Sequence, residues 1–302
     1  MTDRHVVRRG ESADGTFELV VTPESAGWGY SSLRVLDLPA GGSAEFETGG
    51  DEMVLLPLSG AATVSCDGEK FELAGRHDVF SRVTDFAYLP ISSRVAVSST
   101  DGGRFALPAA RTTRKLAARY GPASGVGVEL RGAGQASRQV NNFCTPQTFE
   151  ADKLIAVEVL TPAGNWSSYP PHKHDEERDG EARLEEIYYF EVGSDNSAAP
   201  AGEGPNNAVG YQRVYGSGPG REIDVCTEVR GGDTVLIPHG WHGPSMAAPG
   251  YPLYYLNVMA GPSPDRAWLI CDDPAHAWVR DTWAGQPIDP RLPLTSTEEL
   301  PR

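Results

Sequence analysis

Short apolar stretches separated by turns rich in glycine, proline and aspartate run the length of the chain. FELVVT (17–22) is the first, followed by the alternating LRVLDL (33–38) and the turn Pro39-Ala40-Gly41-Gly42. Alternation with period two marks a half-buried strand, because successive side chains leave opposite faces. MVLLPL (53–58) and AATVSC (61–66) lead into Asp67-Gly68, a two-residue hairpin signal, with KFEL (70–73) as the return strand. FAYLP (86–90) and RVAV (94–97) continue the series. RTTRKLAARY (111–120) breaks the pattern and predicts either a short basic helix or a solvated edge. The second half repeats the style with LIAVEVL (154–160), IYYFEV (187–192), QRVY (212–215), EIDV (222–225), TVLIP (234–238) and LYYLNVM (253–259).

Two segments of the halves parallel each other. LPAGGSAEFETGGDE (38–52) and TPAGNWSSYPPHKHDEERDG (161–180) each follow a strand with a Pro-Ala-Gly turn, and ELAGRHDVF (72–80) parallels EVRGGDTVLIP (228–238). Internal duplication is the economical reading. It predicts an all-β fold of two tandem β-barrels, residues 1–130 and 131–302. Near the place where the second copy carries histidines the first carries Glu45 and Glu47, so a metal site is expected in the second copy alone.

Composition narrows the class. Across 302 residues, 34 glycines and 24 prolines favour many short strands over long helices. A net charge of -15 argues against a nucleic-acid surface, which needs clustered Lys and Arg. An anionic substrate would need a local basic pocket within that acidic field. Cys66, Cys144, Cys226 and Cys271 form no CxxC pair and read as scattered thiols. The sequence shows neither a signal-peptide core nor an apolar run of membrane-spanning length, so a cytoplasmic protein without a membrane partner is expected.

The chemistry concentrates in Pro170-Pro171-His172-Lys173-His174. Two histidines at i and i+2 on an extended segment face the same way, and imidazole is a common ligand for transition metals. The prolines argue against a helix there. Surface histidines in a turn are the bland alternative, but Glu186 and His242 complete a four-ligand set. Glu186 is preferred to Glu176, Glu177, Glu181 and Glu185 because it opens an apolar strand and stands seven residues before Gly193. The acidic run 175–186 reads as a solvated loop over the pocket mouth.

The spacings Gly164…His172-x-His174…Glu186-x6-Gly193 and Gly232-x5-Pro238-x-Gly240-x-His242 resemble the two signature motifs of the cupin superfamily. They depart from it in the eleven residues between His174 and Glu186 and in the single residue between Gly240 and His242. The longer stretches GNWSSYPPHKHD, EEIYYFEV, PHGWHGP, YYLNVMAGP, GWGYSSLRVLDL and SRQVNNF resemble the 5-deoxy-glucuronate isomerase family of inositol catabolism, over nearly the whole chain. That resemblance implies a bicupin with one divalent metal in the C-terminal barrel, held by His172, His174, Glu186 and His242. It also implies conversion of the uronate 5-deoxy-glucuronate to 5-dehydro-2-deoxy-gluconate through an enediolate. The ligand set suits Zn or Mn, with Fe or Ni next. Glu158 and Tyr254 are candidates for proton transfer by position only, and Arg213 and Lys173 for holding the substrate carboxylate. For Glu158 and Arg213 a strand-edge ion pair is the competing reading. Rival functions are a 4-deoxy-5-ketouronate ketol-isomerase, a metal-dependent cupin dioxygenase and a non-catalytic sugar-binding cupin. Exposed strand edges make a homo-oligomer a natural state.

Overall fold

The computed structural model describes residues 4–194 and 207–297, in which strands dominate. The one α-helix among these residues is the single turn Pro23–Ala26, which Thr22 caps. Among the described residues no helix is long and apolar enough to cross a membrane. The Asp67-Gly68 signal forms the expected hairpin. Asp67 and Gly68 take φ of 50° and 96°, the left-handed pair that a two-residue turn of matching twist requires, and Cys66 pairs with Glu69. Residues 111–120 are not helical. Arg119–Gly121 instead pairs with Phe86–Leu89, and the Arg119 guanidinium lies 5.3 Å from the Tyr88 ring centre and 5.0 Å from that of Phe149.

Three sheets form among the described residues. The seven-stranded sheet is the middle layer. Its order is Val6–Val7, Thr234–Ile237, Glu185–Val192, Leu253–Ala260, Ile155–Thr161, Arg138–Cys144 and Gly127–Arg131. One face packs against the nine-stranded sheet of the N-terminal half, through a shared core that includes Leu56, Phe86, Tyr189 and Leu256. The other face packs against a six-stranded sheet, with Tyr188, Phe190, Val214, Val225 and Tyr255 between them. Burial on both faces explains why all eight residues of Leu253–Ala260 are buried.

The expected bicupin of two tandem closed barrels does not form. The seven-stranded sheet runs open from Val6–Val7 to Gly127–Arg131. Only the N-terminal sheet curls far, as a half-barrel, because the 16-residue strand Asp51–Cys66 pairs along its length with four neighbours. The fold is mostly all-β, as the pattern predicted. Closure, however, depends on tilt and stagger summed over a whole sheet, which alternation along one strand does not encode. Distant pairings decide it here: Val6 pairs with Val235 and draws the N-terminal segment onto the far half of the chain.

Candidate metal centre

The candidate ligands meet in the second core, between the seven- and six-stranded sheets. His172 opens the short strand His172–Lys173 and is the register partner of His242 on Trp241–Ala247. The backbone after His242 runs so close to its neighbour that a Cβ on Gly243 would lie 1.8 Å from the Ser168 carbonyl oxygen; Gly243 has φ of 107°. Glu186 comes from the facing sheet, on Glu185–Val192. The ligating nitrogens of His172, His174 and His242 lie within 4.8 Å of one another, and all three rings are buried. His174 Nε2 and His242 Nε2 each stand 3.0 Å from Glu186 Oε2.

Hydrogen bonds on the far side of two rings aim them. His174 Nδ1 lies 3.2 Å from the Leu184 carbonyl and His242 Nδ1 lies 3.1 Å from the Gly240 carbonyl. A carbonyl can only accept, so each Nδ1 carries a proton and each Nε2 is the nitrogen turned inward, toward Glu186. Burial, then the His242 and His174 rings, hold His172 well below the ordinary histidine value, so it is a neutral donor. Burial would raise the Glu186 carboxyl, but His174 and His242 outweigh it and keep it ionised. His242 Nε2 is buried with no hydrogen bond of acceptable geometry, despite its closeness to Glu186. A buried polar atom without a partner costs energy, and a cation among these four groups would satisfy it. The donor set fits a divalent metal.

The remaining expectations fare differently. Alternation along Ile155–Thr161 and Leu253–Ala260 puts Glu158 and Tyr254 on the opposite face of the seven-stranded sheet from Glu186. There Glu158 pairs with the buried Arg76 and accepts hydrogen bonds from Tyr254 Oη (2.9 Å) and Asn141 Nδ2 (3.1 Å). Glu158 and Tyr254 belong to the junction of two sheets, away from the histidines. Lys173 points away from its two histidine neighbours. Its Nζ sits 2.7, 2.8 and 2.7 Å from carboxylate oxygens of Asp175, Glu176 and Glu181, leaving nothing to offer a substrate. The acidic run is a solvated loop only in part: Glu177, Arg178, Asp179 and Gly180 are exposed, while Asp175 and Glu181 are buried around that ammonium, which fills the place of a cation. Arg213 lies on the outer face of the six-stranded sheet, paired with Asp224 and 5.1 Å from the Tyr215 ring centre. Its neighbours Gln212 and Val214 face inward.

Tyr188 and Tyr255, which the sequence marks only as parts of apolar strands, border the site. Tyr188 lies two residues beyond Glu186 and hence on its face. Its ring is 6.1 Å from that of His242 and stacks on Tyr255 at 4.8 Å. Both hydroxyls meet Ser168 Oγ, at 2.9 and 3.1 Å. Counting by two from Glu186 would have found Tyr188.

Three imidazoles and a carboxylate buried between β-sheets define the class: a mostly all-β protein with a metal-binding site. The sequence profile of the KduI/IolB family matches residues 5–279, and the chain belongs to that family. It is 42% identical over 265 residues to the 5-deoxy-glucuronate isomerase of Geobacillus kaustophilus, covering 87% of this chain and 90% of that one. It is 41% identical to the enzyme of the same name from Geobacillus thermodenitrificans, with the same coverage. Among solved structures, an IolB-like protein from Salmonella typhimurium superposes with a TM-score of 0.80 at 32% identity, covering 91% of this chain and 98% of that one.

Proposed function

We propose that the chain is a 5-deoxy-glucuronate isomerase, converting 5-deoxy-glucuronate to 5-dehydro-2-deoxy-gluconate. The observation that carries this reading is 42% identity to an isomerase of that name along 87% of the chain. The reaction moves one proton from C2 to C1 and one from the C2 hydroxyl to the C1 oxygen, so it needs no redox partner. His172, His174, Glu186 and His242 would hold a divalent metal, zinc or manganese by ligand type and iron or nickel next. Such an ion supplies a positive charge that stabilises the enediolate oxygens. The chain's own groups supply the rest. Burial raises the Tyr188 and Tyr255 phenols, so both remain proton donors at neutral pH. The shared Ser168 hydroxyl fixes their orientation. The apolar second core around them excludes water from the reacting carbons.

Incubation of the metal-loaded protein with 5-deoxy-glucuronate under anaerobic conditions tests this. The account predicts a ketose product of unchanged mass. Oxygen-dependent turnover with gain of mass, or binding without conversion, would reject it.

A further inference from the structure

We propose that Arg138 binds the substrate's carboxylate and makes the site select a uronate over a neutral sugar; this rests on the isomerase reading above. Arg138 opens the strand Arg138–Cys144. Gln139 and Asn141 on that strand turn toward Glu158, with Asn141 Nδ2 donating to it at 3.1 Å and Gln139 Nε2 donating to Asn141 at 2.8 Å. Alternation then sends Arg138 and Val140 to the other face, where Val140 shares a core with Tyr188 and Tyr255.

Arg138 is 8% exposed, yet its one side-chain hydrogen bond among the described residues is from Nη1 to the Ala136 carbonyl, at 3.0 Å. No carboxylate among those residues pairs with it: Glu129 lies near enough to feel its charge but is held by Arg131 and Asn142, and the largest influences on Arg138 besides burial are Tyr255, Arg131, Arg280 and Tyr188. The other well-buried guanidiniums are paired, Arg76 with Glu158 and Arg104 with Glu18 and Glu191. Arg280, which also bears on His172, is held by both oxygens of Asp272. Burial, assisted by Arg131 and Arg280, brings Arg138 down to about 10, still charged at neutral pH. A buried arginine with no carboxylate paired to it is costly unless an anion arrives.

The guanidinium is shaped as well as unpaired. It lies 5.7 Å from the Trp283 ring centre, a lid from the turn Ala277–Gly285. Gly132 leaves it room, since a Cβ there would stand 2.8 Å from Nη1. Of the five N–H donors of arginine, those not on Ala136 remain for the two oxygens of a carboxylate. Its charge reaches His172 and the Tyr188 and Tyr255 hydroxyls. An open-chain uronate has its aldehyde and carboxylate at opposite ends, so one end can lie at the histidines and the other at Arg138.

The test compares Arg138→Gln and Arg138→Lys in the full, metal-loaded chain, on 5-deoxy-glucuronate and on the neutral sugar with that carboxyl reduced to an alcohol. Metal content and melting temperature serve as controls for folding. Arg138→Gln should raise KM for the uronate about 10- to 100-fold and lower kcat/KM for the neutral sugar far less, so that the preference collapses. Arg138→Lys should restore part of it. Equal losses on both substrates, or no loss on the uronate, would overturn the proposal. If wild type does not convert 5-deoxy-glucuronate at all, the isomerase reading fails separately. The anchor is then judged by calorimetric binding of D-glucuronate against its neutral amide. Selective weakening of the acid in Arg138→Gln supports it, and equal binding rejects it.

Discussion

Replacing Glu158 by alanine should damage stability and leave the metal centre intact. Arg76 and Glu158 have side chains 0% and 1% exposed, so neither charge has water to fall back on. Burial pushes the Arg76 guanidinium down, yet Glu158 and Tyr254 outweigh it and the net shift is upward. The remaining Arg76 donors are committed to the Pro57 and Arg82 carbonyls at 2.9 and 3.2 Å, so the group cannot swing to solvent. Tyr254 and Asn141 would lose an acceptor at the same time. Removing one partner of a buried pair costs about 3–5 kcal/mol, or roughly 5–8 °C in melting temperature for a chain of this size. Urea unfolding followed by far-UV circular dichroism measures it. The double variant Arg76→Met with Glu158→Leu should recover most of the loss, because no unpaired charge remains buried. A Glu158→Ala protein as stable as wild type but with kcat reduced a thousandfold would refute this reasoning and return Glu158 to the proton-transfer role.

Other substitutions separate the remaining roles. Lys173→Met leaves Asp175 and Glu181 buried without their cation, and should cost about 3 kcal/mol in urea unfolding, with KM for the uronate unchanged in the folded protein. Arg213→Gln lies outside the core and should change kcat/KM by less than about twofold, measured in steady-state assays. The pH dependence follows from Asp175: burial raises it, but Lys173, Ser217 and the Gly240 amide together bring it down to about 2. A depressed carboxyl contributes stability that is complete above its unfolded value, about 3.9, and is lost as pH falls toward the folded value. Asp175→Asn should therefore be less stable than wild type at pH 6, with the gap in melting temperature closing between about pH 4 and pH 2.

What could be read from the sequence was local. Strands, the Asp67-Gly68 hairpin and the His172-x-His174 pair follow from period-two alternation and turn chemistry, which act over a few residues. The choice of Glu186 over Glu185 rested on its spacing to Gly193 and its place at the head of an apolar strand. In the structure Glu186 lies at the histidines, while Glu185 accepts from the backbone amides of Gly29, Tyr30 and Ser31. The open sheets were not legible, because Val6 meets Val235 through the whole fold rather than through neighbours. Lys173 and Arg213 looked available because a sequence shows a cation without its partners. Tyr254 is next in sequence to Tyr255, which faces the site, and Glu158 lies on the adjoining strand, whose other face joins the second core. Arg138 passed unnoticed for the opposite reason: its distinction is that no carboxylate among the described residues pairs with it, which only three-dimensional packing reveals.

The central claim is that the buried histidines and Glu186 hold one catalytically required metal ion. Its most direct test is elemental analysis of the purified chain alongside isomerase activity, before chelation, after it, and during stepwise return of zinc or manganese. The account predicts activity that falls with metal loss and returns linearly to a plateau at one ion per chain, with Glu186→Gln and His242→Ala folded but neither loaded nor active. Full turnover of 5-deoxy-glucuronate by metal-free protein would contradict it.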